Sequence, residues 1–503
     1  MTTEQRAMID RLQKLATKKQ IFAAMLEERL QASSLPAGMV VTLDDMRVDF
    51  SRQSIDLEEW QALLDWGQSI LPKRDAMLAG EIVNASENRP ALHAHLRNPD
   101  MSMAQDNIAT MAAMTETILS LGVEDVVAIG IGGSYLGPKM AVEALAPFHQ
   151  GPDVHFVSNI DPSHLDDLLV RLNPVTTAVI AISKTFTTKE TLSNLAAAED
   201  WFNANGVSPH GRVIAVTSRP DVAKGRGVDD HLILAMDEAI GGRFSLWSAV
   251  GLPIMVAIGE EMFTAMIAGA SQMDDHFAQA PVAENMPILA GLIRVWNRAF
   301  LGHSGLAVIP YDQRLNLLPS WLQQLEMESN GKAVTAEGKP QPLGTSPIIF
   351  GEAGSNVQHS FFQMIHQSQD IVPVDFLAPL EPISLTGEVS AKTRHRHRDL
   401  IAQMMAQADC LAMGDAKRGF TGGRPSTVVT WEDTTPFALG RVLAYYEHIT
   451  AVSGWLLNLN SFDQPGVELG KVIARHYEAY MDDGTGGETI PPASRHVLDR
   501  YRS

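Results

Sequence analysis

The sequence predicts an α/β protein of two doubly wound parallel-sheet domains with helical extensions at both ends. Three observations predict it. The 503 residues exceed what one ordinary core holds, so more than one domain is expected. From Leu121 onward, short apolar runs alternate with stretches of helical periodicity, the pattern of a parallel sheet covered by helices on both faces. That alternation ends at a long apolar stretch, residues 249–278, and restarts near Ile288, so the unit occurs twice.

Residues 1–96 read as an N-terminal helical extension packing on the larger domain. They begin polar, without an apolar signal segment, and are amphipathic over 57–71. The run Asn84-Ala85-Ser86-Glu87-Asn88-Arg89-Pro90 is rich in turn formers. The first, smaller domain is expected over 97–270, with strands at 126–131, 154–157, 178–182 and 213–216. Helices follow Pro138, Pro162 and Thr188. The apolar segment 244–258 is too short to span a membrane and carries Ser245, Ser248, Gly251 and Pro253, so a buried helix explains it better. The second, larger domain is expected over 280–470, with strands at 307–310, 347–350 and 371–376 and a helix at 436–458. A helical tail, 471–503, completes the chain.

Composition narrows the function classes. Hydrophobic residues make up 45% and charged residues 19%, a globular balance that leaves little room for disorder. The single cysteine, Cys410, excludes an internal disulfide and suits a reducing cytoplasm. A net charge of −20 argues against nucleic-acid binding. It also means that an anionic ligand needs a local concentration of positive potential. No membrane partner, cofactor or metal is expected.

Two strand exits are built for an anion. The first, Gly130-Ile131-Gly132-Gly133-Ser134-Tyr135-Leu136-Gly137-Pro138, lets backbone approach a ligand closely, offers the Ser134 hydroxyl and ends with a proline suited to a helix's first turn. A dinucleotide fingerprint from Gly130 needs glycine at 135, where Tyr stands. A Walker loop from Gly132 needs Lys directly after Gly137, where Pro138 stands. Both fail. The second exit, Ser183-Lys184-Thr185-Phe186-Thr187-Thr188, gathers four hydroxyls, a lysine and backbone N–H groups where a helix begins. Several bonds to a charged oxygen, each contributing about 1.5–3 kcal/mol, hold a phosphate. A turn and helix cap with no ligand is the competing reading.

Acid–base groups follow at loop-like positions. Arg243 sits in Gly241-Gly242-Arg243-Phe244-Ser245, and Gln324 and Glu328 precede the Asn330-Gly331 turn. A carboxylate at a helix end opposes the helix dipole, which disfavours a purely structural origin for Glu328. His359 is expected at a helix start, and Gln464 and Lys471 occupy a late loop. The basic run from Lys392 to Arg398 reads as a solvated or interface segment opening a helix after Asp399. His395 and His397 have metal-sharing spacing, but Ala402 replaces the glutamate a barrel-type metal site would need.

Taken in order, these motifs resemble the glucose-6-phosphate isomerase (phosphoglucose isomerase) family along nearly the whole chain. The matches are residues 84–98, Gly130 to Ser134, Ser183 to Thr188, Gly241 to Ser245, Met327 to Lys332, Gln358-His359-Ser360 and Ser461 to Lys471. The resemblance implies two flavodoxin-like sugar-isomerase domains and a cytoplasmic homodimer with active sites at the subunit interface. It implies reversible isomerisation of glucose 6-phosphate and fructose 6-phosphate through an enediolate, in glycolysis and gluconeogenesis. Ser134, Gly133, Ser183, Lys184, Thr185 and Thr188 would bind the phosphate, and Gln324 and Gln464 would position the sugar. Glu328 would carry the proton between C1 and C2, Arg243 would stabilise the enediolate, and His359 (from the neighbouring subunit) with Lys471 would open the ring. Tyr135, Val357 and Pro465 depart from the residues usual in the family. A sugar-phosphate sensor without catalysis and an isomerase that also takes mannose 6-phosphate are the alternatives.

Overall fold

Strands form here where β-branched and apolar runs can bury both faces. The computed structural model describes residues 3–17, 22–464, 466 and 468–502. Near the N-terminus, β1 (Val40–Leu43) and β2 (Met46–Asp49) make a hairpin whose two-residue connection puts Asp44 at φ 51°. The sequence reading has this region mostly helical. The strands are four residues each, and what stabilises them is a partner nearly four hundred residues away. A short ladder follows, β3 (Ile82–Asn84) with β4 (Arg89–Pro90).

The smaller sheet comprises β5 (Asp125–Ile129), β6 (Asp153–Val157), β7 (Thr177–Ile182), β8 (Val213–Thr217) and β9 (Ile233–Ala235). All its pairings are parallel, in the order β6-β5-β7-β8-β9. Counted within the sheet this is 2-1-3-4-5, the flavodoxin-like order, whose switch point lies between the first and third strands. Those strands are β5 and β7. Both expected anion loops therefore leave the sheet on either side of one crevice. β7 and β8 are buried along their whole length, as a central parallel strand requires.

The larger sheet comprises β10 (Gly305–Pro310), β11 (Ile348–Phe350), β12 (Val374–Pro379) and β13 (Ser426–Trp431), joined by the N-terminal hairpin in the order β1-β2-β13-β12-β10-β11. Its four later strands are parallel and β2 runs antiparallel to β13. The expected strand at 371–376 is displaced to begin after Pro373, whose missing N–H suits a strand's edge better than its interior. β9 and β13 have no counterpart in the sequence reading. The basic run lies inside the helix Ala391–Met413, which Ser390 caps through Thr393, and not before a helix starting after Asp399.

Two long helices pack against each other. Leu252–Gln279, kinked at Gly259 (φ 82°), and Pro436–Leu456 approach so closely that an added methyl at Gly269 would lie 1.8 Å from the Phe437 carbonyl oxygen, and one at Gly440 1.9 Å from that of Met266. Leu252–Gln279 lies within the single stretch (Ala249–Gln279) long and apolar enough to cross a membrane among the described residues, but its apolar window is 67% buried inside the protein. It is a core helix. Chain contacts divide the protein into Met1–Ser461, which holds both sheets, and Phe462–Ser503, which holds the helices Glu468–Asp483 and Pro492–Arg502.

Candidate active site

The anchor loop after β7 is tightly specified. Ser183 is buried, and its N–H continues the sheet by donating to the Val216 carbonyl. Its hydroxyl pairs with that of Thr188 at 3.0 Å, and Thr185 pairs with Thr187 at 2.7 Å. Thr188 occupies the N-cap of the helix Lys189–Ala204 but makes no side-chain cap bond to it. Its hydroxyl thus faces the loop and not the helix's own N–H groups, which counts against a mere cap. Phe186 is fully buried with φ at 52°. A bulky residue in the left-handed region costs about 1–2 kcal/mol, held here by the burial of its ring. Such strain marks sites where the surroundings over-determine a backbone shape.

The glycine loop after β5 forms a turn at Gly132–Ser134 before the helix Leu136–Ala144. Gly133 packs directly on the turn Gly242–Phe244: an added methyl would lie 1.9 Å from the Gly242 carbonyl oxygen. Gly132, at φ 60°, meets the Gln324 side-chain amide. Close backbone approach therefore explains Gly133, and a left-handed φ explains Gly132.

The Gly242–Phe244 turn presents Arg243, which is buried. Its Nε donates to Ser329 Oγ at 2.5 Å and one terminal nitrogen to the Ser461 carbonyl at 2.5 Å. The other lies 4.0 Å from Glu328 Oε2. Glu328 ends a π-helical turn, Gln323–Glu328, a distortion often found where a helix serves a functional site. Gln324 Nε2 donates to the same Oε2 at 2.9 Å. The Gln324 Oε1 is buried and has no hydrogen-bond partner among the described residues.

Two glutamates in Leu325-Glu326-Met327-Glu328 have different roles in the fold. Glu326 has a side chain 1% exposed and accepts from Arg294, Thr450 and Asn330 at 3.0, 2.8 and 3.0 Å. Glu328 is 22% exposed, and both its contacts fall on one oxygen. Asn330, whose Oδ1 accepts from Ser461, ties this segment to the Arg243 carbonyl partner. Ser329, Asn330 and Ser461 fall within the matched motifs without a role assigned from sequence, and Glu326 falls outside them. The Ser-Asn-Gly run after Glu328 is the only local sign of them.

Lys184, Ser134, His359, Gln464 and Lys471 complete the expected set. Lys184 donates to the carbonyls of Glu238 and Ile240 at 2.7 and 3.2 Å, and burial lowers its pKa, with the Arg89 charge adding to the effect. Ser134 is half-buried at the end of the glycine turn. His359 does not begin a helix: it is exposed in the turn between Gly354–Val357 and Phe362–Gln367. Its neighbour Gln358 donates to the Tyr311 hydroxyl at 2.7 Å. Gln464 and Lys471 are exposed and belong to Phe462–Ser503. Of the departures, Tyr135 packs edge-on against Phe156 and His164 and accepts from Lys139, and Val357 is core. Pro465 lies outside the described residues, as does Val467 of the same motif. His397 bonds the Pro379 carbonyl and His395 faces Arg398 and Asp399.

A family model described as phosphoglucose isomerase matches residues 49–489. A glucose-6-phosphate isomerase of Cereibacter sphaeroides is 40% identical, over 92% of this chain and 93% of its own. One from Chelativorans is 42% identical over 86% and 87%. Among solved structures, a glucose-6-phosphate isomerase from Chlamydia trachomatis superposes with a TM-score of 0.85 at 31% identity, covering 98% of both chains.

Proposed function

This chain belongs to the phosphoglucose isomerase family, an isomerase interconverting glucose 6-phosphate and fructose 6-phosphate, and on that premise we propose which of its residues perform the reaction. The observation that carries the assignment is the convergence of Arg243, Gln324 and Glu328 beside the glycine loop. Aldose–ketose isomerisation moves one proton between adjacent carbons, so it needs a base with an available lone pair and a fixed cation where oxyanion charge develops.

Glu328 is the base. It is partly exposed, one of its oxygens is held by Gln324 and Arg243, and the other is left to the substrate. Arg243 stabilises the enediolate: buried and fastened by Ser329 and Ser461, it needs no reorganisation as charge develops. The phosphate sits on Ser183, Thr185 and Thr188 with Ser134 and the Gly133 backbone, at the crevice between β5 and β7. The buried, unpartnered Gln324 Oε1 is an acceptor that a sugar hydroxyl satisfies. Gln464 positions the sugar, and His359 with Lys471 opens the ring.

His359 is exposed, with no hydrogen bond from its ring among the described residues, which supports its service to a second copy in a homodimer. The protein acts in the cytoplasm.

The test is Glu328→Gln. Solvent-proton exchange at C2 is expected to fall by roughly 10²–10⁴-fold while competitive inhibition by inorganic phosphate persists. An active Gln variant removes Glu328 from the mechanism.

A further inference from the structure

Lys184 lies in the anchor loop, yet its ammonium is directed elsewhere. Nζ donates to the Glu238 carbonyl at 2.7 Å and to the Ile240 carbonyl at 3.2 Å. These carbonyls belong to the segment leading into Gly241-Gly242-Arg243. Ile240 is fully buried, and the Asp237 side chain closes the same turn by accepting from the Ala239 N–H at 2.7 Å. Arg89 grips Glu238 from a third side, through its carbonyl at 3.3 Å and its carboxylate at 2.9 Å.

The other end of Lys184 is equally fixed. Its own carbonyl accepts from the Ser218 N–H at 2.9 Å, the Ser218 hydroxyl at 2.7 Å and the Thr217 hydroxyl at 3.0 Å. The residue is therefore a rigid bar. Its backbone is anchored at the ends of β7 and β8, and its side chain crosses to the turn that carries Arg243.

We propose that Lys184 is a positioning residue: it fastens the phosphate anchor to the Arg243 turn and sets the distance between the bound phosphate and the cation at the reacting carbons. This rests on the reading of residues 183–188 as the phosphate anchor and Arg243 as the enediolate's partner. The physical reason is that both groups grip one substrate. A phosphate held at one end fixes where C1 and C2 lie, and a 1 Å error in Arg243 can cost about 10²-fold in rate. The Arg243 turn has one short helical turn of its own, Gly242–Phe244, so its register depends on what braces it. A phosphate ligand in this position would instead take the Lys184 ammonium away from the buried Ile240 carbonyl and leave Arg89 alone on that of Glu238.

The two roles separate kinetically. Lys184→Met and Lys184→Arg are compared with the unaltered chain for kcat with fructose 6-phosphate and for the competitive inhibition constant of inorganic phosphate. The strut predicts that Met lowers kcat at least tenfold, leaves phosphate inhibition within threefold, and is largely rescued by Arg, which also donates to two carbonyls. A tenfold weaker phosphate inhibition in Lys184→Met, with or without a loss of kcat, makes Lys184 a direct ligand and overturns the proposal. So does an unchanged kcat. A crystal of the unaltered chain soaked in phosphate needs no variant: Nζ stays on both carbonyls, whereas departure of Nζ to a phosphate oxygen overturns it. Absence of phosphate inhibition in the unaltered chain refutes the anchor reading itself, a different result from any of these.

Discussion

Gly133→Ala tests whether backbone contact between two turns sets the geometry of this site. The added methyl lies 1.9 Å from the Gly242 carbonyl oxygen, 2.2 Å from its carbon and 2.8 Å from the Arg243 nitrogen. Real contacts of this kind stay beyond 3.0 Å, so the turns must separate by at least 1.1 Å (3.0 − 1.9). No side-chain rotation relieves it, because every atom met is backbone. The displaced group is Arg243 itself, whose bonds to Ser329 and Ser461 are both 2.5 Å long and tolerate little stretch. A shift of that size predicts a fall in kcat/KM of about 10²-fold. Overpacking strain of roughly 1–3 kcal/mol accompanies it. The assay is steady-state turnover of fructose 6-phosphate alongside thermal melting. A folded Ala variant within threefold of the parent's kcat/KM refutes the reasoning, since the turns would then not be in the contact described.

Three other outcomes are expected. Glu326→Gln leaves the buried Arg294 with Asp375, at 3.5 Å, as its remaining carboxylate, so melting detects a loss of about 1–3 kcal/mol, whereas Glu328→Gln barely moves the melting temperature; equal destabilisation by both contradicts the division between them. Burial pushes Glu447 up to about 7 from 4.5, against the Arg97 and Trp247 donors, with the Asp274 charge adding to the rise. Its folded value lies above its unfolded one, so the stability it contributes is full below pH 4.5 and lost as pH rises through 7, on the order of 3 kcal/mol; Glu447→Gln flattens denaturant-measured stability over that window, and an unaltered slope counts against it. Mixing inactive Glu328→Gln with inactive His359→Ala chains regains turnover where His359 serves the neighbouring subunit, and no regain under subunit exchange assigns His359 to its own chain.

Central features of the fold were legible because they are local. Between their end residues β5, β7 and β8 are runs of valine, isoleucine and alanine, the composition favoured where a strand is buried on both faces. β13, Ser426–Trp431, was just as legible in principle, a β-branched run bounded by Gly-Gly-Arg-Pro. The hairpin β1–β2 was not, because four-residue strands acquire their stability from β13 and not from their own pattern. Pro373 shifted β12 in a way that backbone chemistry explains once it is seen.

The candidate site divides along the same line. The type of each group was written in the chain: a hydroxyl-rich exit from a strand, glycines without a nucleotide fingerprint, a carboxylate before an Asn-Gly turn. Each follows from what neighbouring residues permit. Which of two glutamates two positions apart is buried against Arg294 and which stays partly open beside Arg243 depends on groups that lie tens to hundreds of residues away. The direction of the Lys184 ammonium, toward the carbonyls of Glu238 and Ile240, depends on how the ends of β7 and β8 meet the Arg243 turn. Residue chemistry is a property of the chain, but distance and desolvation arise only when separate segments pack together.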